Sequence, residues 1–170
     1  MPMGNGLSYM RRTNSADATK QLGSTLAPYL REGDCIVLSG DLGAGKTQFV
    51  QGVARALGIS DAVTSPTFNI LLCYQSSSGL PLYHFDLYRL EQVQELEDIA
   101  FYETIEGDGA SFIEWGEKFP EELPLSYIEI SFTIDEKGVR KVRVQSYGER
   151  ARKQLFVWAN DSKSRLMKCR

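Results

Sequence analysis

The chain has 170 residues, 42% hydrophobic and 24% charged, with a net charge of −3, which fits one globular domain over 1–170 with enough chain to bury a core. Its longest apolar runs, such as 68–74, fall far short of a membrane span, and no internal repeat or low-complexity linker interrupts it. The opening stretch MPMGNGLSYMRR lacks an apolar core followed by a cleavage site, so a soluble cytoplasmic protein is expected.

Cys35, Cys73 and Cys169 are odd in number and lack metal-ligand spacing. Two of them lie in apolar strand-like runs, so reduced core thiols are expected. Charge is uneven: residues 149–170 hold seven Lys/Arg against two Asp/Glu, leaving twelve against twenty in the first 148. The basic tail over 160–170 reads either as a contact for nucleic acid or an acidic partner, or as a flexible, solvated terminus.

In chain order, residues 15–30 place Leu22, Leu26, Tyr29 and Leu30 on one helical face, with Asn14 or Ser15 as N-cap and Pro28 bending or ending the helix. Ile36-Val37-Leu38 reads as a strand buried on both faces. From Lys46 to Leu57 the apolar spacing is helical, and Gly58 supplies a stop. Phe68 to Tyr74 and Leu82 to Tyr88 read as strands joined by the turn SSSG, so they pair antiparallel. A helix is expected over Glu91 to Tyr102 and a short strand over Ser111 to Trp115. Ile128, Ile130, Phe132 and Ile134 alternate with polar residues, and Val142 and Val144 resume that period after DEKG. A last helix from Glu149 to Ala159 turns Ala151, Leu155 and Trp158 inward. The expected fold is α/β: a three-layer P-loop NTPase-like domain whose mixed sheet has a parallel core extended by antiparallel strands.

The segment GDLGAGKT, comprising Gly40, Asp41, Leu42, Gly43, Ala44, Gly45, Lys46 and Thr47, fits G-x-x-x-x-G-K-[ST] between a buried strand and an amphipathic helix. The glycines let successive backbone N–H groups turn inward toward phosphate oxygens, and the helix adds its positive dipole end. Lys46 then supplies a point charge to the β- and γ-phosphates, and Thr47 a hydroxyl to Mg²⁺; Gln48 follows in the first helical turn. No base-reading N/T-K-x-D segment occurs in its expected place, so ATP is the expected nucleotide. Magnesium calls for a further carboxylate at a strand end, and both Asp86, ending LYHFD, and Glu114, ending SFIE, qualify. Ser65-Pro66-Thr67 reads as a turn or as a switch loop whose hydroxyls sense a γ-phosphate. His84, the one histidine, reads as a hydrogen-bonded structural residue rather than a base, and Trp115 and Phe119 as core residues or borders of a nucleotide.

Taken together, GDLGAGKT, SPTF, YHFDLYRL, ELEDIAF and IEWGEKFP, from Gly40 to Pro120, resemble the bacterial TsaE family of tRNA threonylcarbamoyladenosine biosynthesis ATPases. The resemblance implies a small Mg²⁺-dependent ATPase that supports turnover of a TsaB–TsaD complex acting on adenosine 37, and touches tRNA only indirectly. It also implies that Glu114 completes the magnesium site, that Asp86 orients water beside it, that Thr67 lies in a switch-like loop, and that Trp115 sits close to the nucleotide. The basic tail after Ala159 is not covered by the shared motifs. Two rival readings are a small-molecule kinase, for which the arginine-bearing lid is missing, and a scaffold that binds ATP without hydrolysing it.

Overall fold

A computed structural model describes residues 6–169; the opening MPMGN and Arg170, on which part of the leader and tail readings fall, lie outside the described residues. The elements in chain order are β1 (Ser8–Thr13), α1 (Ala16–Leu26), β2 (Cys35–Gly40), α2 (Lys46–Ala56), β3 (Leu71–Gln75), β4 (Pro81–Asp86), α3 (Glu95–Asp98), α4 (Phe101–Ile105), β5 (Ala110–Glu114), β6 (Tyr127–Ile134), β7 (Arg140–Tyr147), α5 (Glu149–Asn160) and β8 (Met167–Lys168). One eight-stranded sheet runs β3-β4-β5-β2-β6-β7-β1-β8. Strands β4, β5, β2 and β6 are parallel to their neighbours in that block, and β3, β7, β1 and β8 add antiparallel pairs at its two sides. The sheet is mixed, as the sequence reading expects.

Alternation along the strands produces two cores. Ile36, Leu38, Phe112, Ile130 and Val142 pack on one face with Leu22, Phe49, Val53, Leu155 and Trp158 from α1, α2 and α5. Cys35, Val37, Phe85 and Ile113 pack on the other with Leu96, Phe101 and Ile105 from α3 and α4. Helices α1 and α2 approach until a Cβ at Gly52 would lie 1.8 Å from the Lys20 carbonyl oxygen. Only glycine permits that contact. Ser15, not Asn14, caps α1 by accepting from the Ala18 N–H at 3.0 Å, and Pro28 converts the end of the helix into a 3-10 turn over Ala27–Tyr29.

Several local expectations are corrected. Phe68 is not in a strand: the Asn69 and Ile70 N–H groups fold back on the Pro66 carbonyl, and β3 starts only at Leu71. The helix expected over 91–102 splits into α3 and α4 at Ala100, whose φ of 52° is left-handed. That break lets Leu96, Phe101 and Ile105 all reach the second core. Cys73 is exposed, because β3 is a sheet edge where the helical layer ends, whereas Cys35 is buried. Burial pushes the Cys35 thiol far up from its ordinary value. Within the described residues the tail packs on the domain: Leu166 is buried and β8 pairs with β1. Strand β1 itself, absent from the sequence reading, offers one buried apolar residue, Tyr9, and depends on its partner β7.

Candidate functional site

The site lies where the parallel strands end. Gly40, Gly43 and Gly45 all have positive φ, and a Cβ on Gly40 would come within 2.5 Å of the Phe132 carbonyl oxygen. The loop can therefore turn sharply off β2 only with glycine at its base. Asp41 and Leu42 point into solvent at its tip, Ala44 and Gly45 are buried, and Thr47 and Gln48 are half-buried in the first turn of α2. That helix presents unpaired N–H groups and its dipole end to the loop's concave side.

Lys46 curls back over this concavity. Its Nζ donates to the Gly40 carbonyl oxygen at 2.7 Å, lies 3.7 Å from Glu114 Oε1 and stands 5.2 Å from the centre of the Trp115 ring. Both members of the Lys46–Glu114 pair are nearly buried, so the attraction is weakly screened. Glu114 is held from its other side by His84, whose Nε2 is 2.8 Å from Oε2. His84 is wholly buried, and its Nδ1 has no hydrogen-bond partner. Strand parity explains the meeting. His84 and Asp86 share one face of β4, and Asp86 stands opposite Glu114 in the parallel register with β5.

Asp86 is also buried and fixed by two donors. Thr67 Oγ1 lies 3.0 Å from Oδ2, and the Tyr88 N–H 2.9 Å from Oδ1. Thr67 in turn bonds the Ser65 hydroxyl at 2.8 Å. The loop is tethered at its rear by Gln51 Nε2, which donates to the Val63 carbonyl at 2.9 Å. Exposed Phe68 at its front is capped by the Arg89 guanidinium, 4.7 Å from the ring centre. Trp115, with a left-handed φ of 64°, packs its ring 5.1 Å from that of Tyr88. Lys118 holds that segment by donating to the Tyr88 and Leu90 carbonyls.

Most predicted site residues thus converge: Lys46, Glu114, Asp86, Thr67, Ser65 and Trp115 form one contiguous set beside the loop. The side chains of Asp41 and Leu42 are exposed, Gln48 is half-buried in the first turn of α2, and Phe119 belongs to the second core. Two residues take a larger part than the sequence suggests. His84 orients Glu114, and the signal was its inward parity two residues before Asp86. Arg140 packs beside Gly45, its Cδ 3.2 Å from where a Cβ would stand, and its buried Nε has no hydrogen-bond partner. Its signal was a charge at the parity of Val142 and Val144.

The residues suit a nucleotide with magnesium. Among the described residues no group of three or more His, Cys, Asp or Glu could cage a metal. Magnesium, however, takes only one or two protein carboxylates and completes its octahedron with phosphate oxygens and water. Thr47, Glu114 and Asp86 are of the residue types that would offer such hard oxygens.

A family model described as "Threonylcarbamoyl adenosine biosynthesis protein TsaE" matches residues 13–142. The tRNA threonylcarbamoyladenosine biosynthesis protein TsaE of Treponema pallidum is 42% identical over 132 residues, covering 78% of this chain and 96% of the relative. Its namesake from Bacillus subtilis is 38% identical, over 82% of this chain and 86% of the relative. The crystal structure of Bacillus subtilis YdiB superposes with a TM-score of 0.80 at 29% identity, over 94% of this chain and 99% of that one. With its loop, its strand-end carboxylates and these likenesses in agreement, the chain belongs to the TsaE family.

Proposed function

We propose that this protein is a slow, cytoplasmic, Mg²⁺-dependent ATPase whose ATP cycle supports repeated turnover of a TsaB–TsaD complex in tRNA threonylcarbamoyladenosine formation. Family membership supports the pathway and nucleotide binding. The observation that carries hydrolysis is the pairing of Asp86 and Glu114 at one register, with the Lys46 ammonium 3.7 Å from Glu114. A scaffold that only bound ATP would need Lys46 and the loop amides, but not two buried carboxylates beside them.

In this reading the backbone N–H groups of 43–47 and the Lys46 ammonium receive the phosphates, Lys46 exchanging its contact with the Gly40 carbonyl for phosphate oxygens. Thr47 and Glu114 would hold the magnesium, and His84 keeps the Glu114 carboxylate in position. Bound magnesium would neutralise charge that builds on the phosphate oxygens. Asp86, fixed by the Tyr88 N–H and Thr67, orients the attacking water and accepts its hydrogen bond. Trp115 shields Lys46 from solvent on one side.

Thr67 links this chemistry to the surface. Its hydroxyl bonds Asp86 in the structure, and a γ-phosphate offers it a competing acceptor that ADP lacks. The exposed Phe68 next to it would move with that choice and bias docking on TsaB–TsaD.

Phosphate release from ATP, measured with and without Mg²⁺ and with and without TsaB–TsaD, tests the reading. Mg²⁺-dependent turnover raised by the complex is expected. Absence of turnover in all four conditions, despite ATP binding, would leave the scaffold.

A further inference from the structure

The sheet's far side inverts the charge of the rest of the chain. Strands β1, β7 and β8 carry Arg11, Arg12, Arg140, Lys141, Arg143 and Lys168 and no Asp or Glu, within a protein of net charge −3. Register sorts these cations. Tyr9, Val142 and Val144 point into the first core, so Arg12, Lys141 and Arg143 lie on the opposite face, where all three are exposed. Arg12 stands directly across from Lys141, an arrangement that costs free energy between neighbouring strands.

A second like-charge meeting occurs at the adjoining edge. Arg11 donates to the Ser164 carbonyl at 3.1 Å and, with Arg12 and Arg165, lines a notch of about 650 Å³. Burial and the Arg165 charge both push the Arg11 guanidinium down from its ordinary value. Among the described residues no ion pair includes Arg11, Arg12, Lys141, Arg143, Arg165 or Lys168. Glu129 stands diagonal to Arg143 on the open face, and Asp135 closes the β6–β7 turn one rung beyond Lys141 with its carboxylate taken up by the Lys137 and Val139 N–H groups. Protection of a sheet edge explains a charge on the terminal strand, such as Lys168. It does not explain Arg12, Lys141 and Arg143 on the strands inside it.

We propose that this open face and its edge notch bind the sugar–phosphate backbone of RNA, bringing the chain into direct contact with tRNA. The identity of the RNA rests on the proposed pathway. The surface itself rests on charge complementarity and goes beyond the family resemblance, since Arg11, Arg12, Arg143, Arg165 and Lys168 all fall outside the matched residues 13–142. It replaces the expectation that tRNA is reached only through partner proteins. RNA fits better than protein because a nucleic-acid backbone offers one phosphate charge after another to a row of cations, whereas a protein partner would need a matching row of carboxylates. The surface is also tied to the nucleotide site: Arg140 packs against Gly45, and the next residue, Lys141, points to the basic face.

The test is fluorescence anisotropy of a labelled tRNA transcript with an ANN-reading anticodon, titrated with the full-length chain between about 50 and 200 mM salt. Binding that weakens linearly in log–log form is expected, each contacted phosphate adding roughly 0.7–0.9 to the slope. Arg12→Ala/Arg143→Ala/Arg165→Ala should bind at least about tenfold more weakly, with a slope shallower by roughly two to three. The same three positions changed to Lys should keep the slope. ATP hydrolysis should be unaltered in both variants, which separates this surface from the proposed chemistry. Wild-type binding without salt dependence, or an unchanged slope in the alanine variant, overturns the proposal. So does equal competition by polyglutamate, or loss of TsaB–TsaD binding with tRNA binding intact, either of which assigns the face to an acidic protein.

Discussion

The two halves of the sheet treat charge in opposite ways. At the ends of β4, β5 and β2, every buried ion has partners: Glu114 has Lys46 and His84, and Asp86 has Thr67 and the Tyr88 N–H. On β1 and β7, Arg12 and Lys141 face each other in solvent without a carboxylate. A buried charge without partners costs several kcal/mol, so the first arrangement offsets the cost of burying these groups as well as being useful for chemistry. An exposed like-charge pair costs far less, so the second survives without compensation and stays open to an external anion. One region is electrostatically closed and set for a small ligand. The other is open and suits a long one.

The strongest way to break this contrast is to remove charge from the closed half while preserving shape. Glu114→Gln and Asp86→Asn should each lower ATP turnover by about 10²–10³-fold, as loss of one transition-state contact does elsewhere. Both should retain the fold, because Gln can still meet His84 and Asn can still accept from Tyr88. Turnover assays beside thermal melts distinguish the two effects, and wild-type rates in both variants would disprove the catalytic assignment.

Lys46→Ala should weaken binding of ATP with Mg²⁺ by roughly 10- to 150-fold, corresponding to about 1.5–3 kcal/mol for charge-assisted contacts. Calorimetric titration measures this directly, and unchanged affinity would remove Lys46 from the phosphate site. The Thr67 link should then show a smaller effect. Affinity for TsaB–TsaD should differ about 5- to 150-fold between ATP-analogue and ADP states, the range of a 1–3 kcal/mol coupling. Thr67→Ala should bring that ratio toward one. Equal affinities in the wild type would dispose of the switch.

The open half should scarcely respond in stability. Arg12→Ala and Arg143→Ala should change unfolding free energy by no more than about 0.5 kcal/mol, as surface substitutions outside packed networks usually do. Denaturant titration checks this. A loss above 2 kcal/mol would mean that these cations hold the fold together and would erase the contrast between the halves.

Much of the closed half was legible in the chain because its signals are local. The loop needs glycines, a lysine and a threonine at fixed spacing, β2 is a continuous apolar run, and Ala151, Leu155 and Trp158 mark the inner face of α5 by helical period. Asp86 and Glu114 announced themselves as acids at the ends of apolar strands. That these two stand side by side, with His84 behind one and Thr67 against the other, depended on strand order and register, which pair residues about thirty positions apart. The open half was least legible. Strand β1 has little apolar alternation of its own, β8 is two residues long, and each exists because a neighbour supplies a hydrogen-bonding edge, β7 for β1 and β1 for β8, in a sheet built from distant segments. The break at Ala100 and the exposure of Cys73 followed from where the second helical layer reaches and where it stops. Local sequence determined which residues can cradle phosphate and which faces must be buried, because backbone freedom and periodicity act over a few residues. Tertiary structure decided which charges meet and which remain unmatched, because electrostatic partnership depends on distance in space.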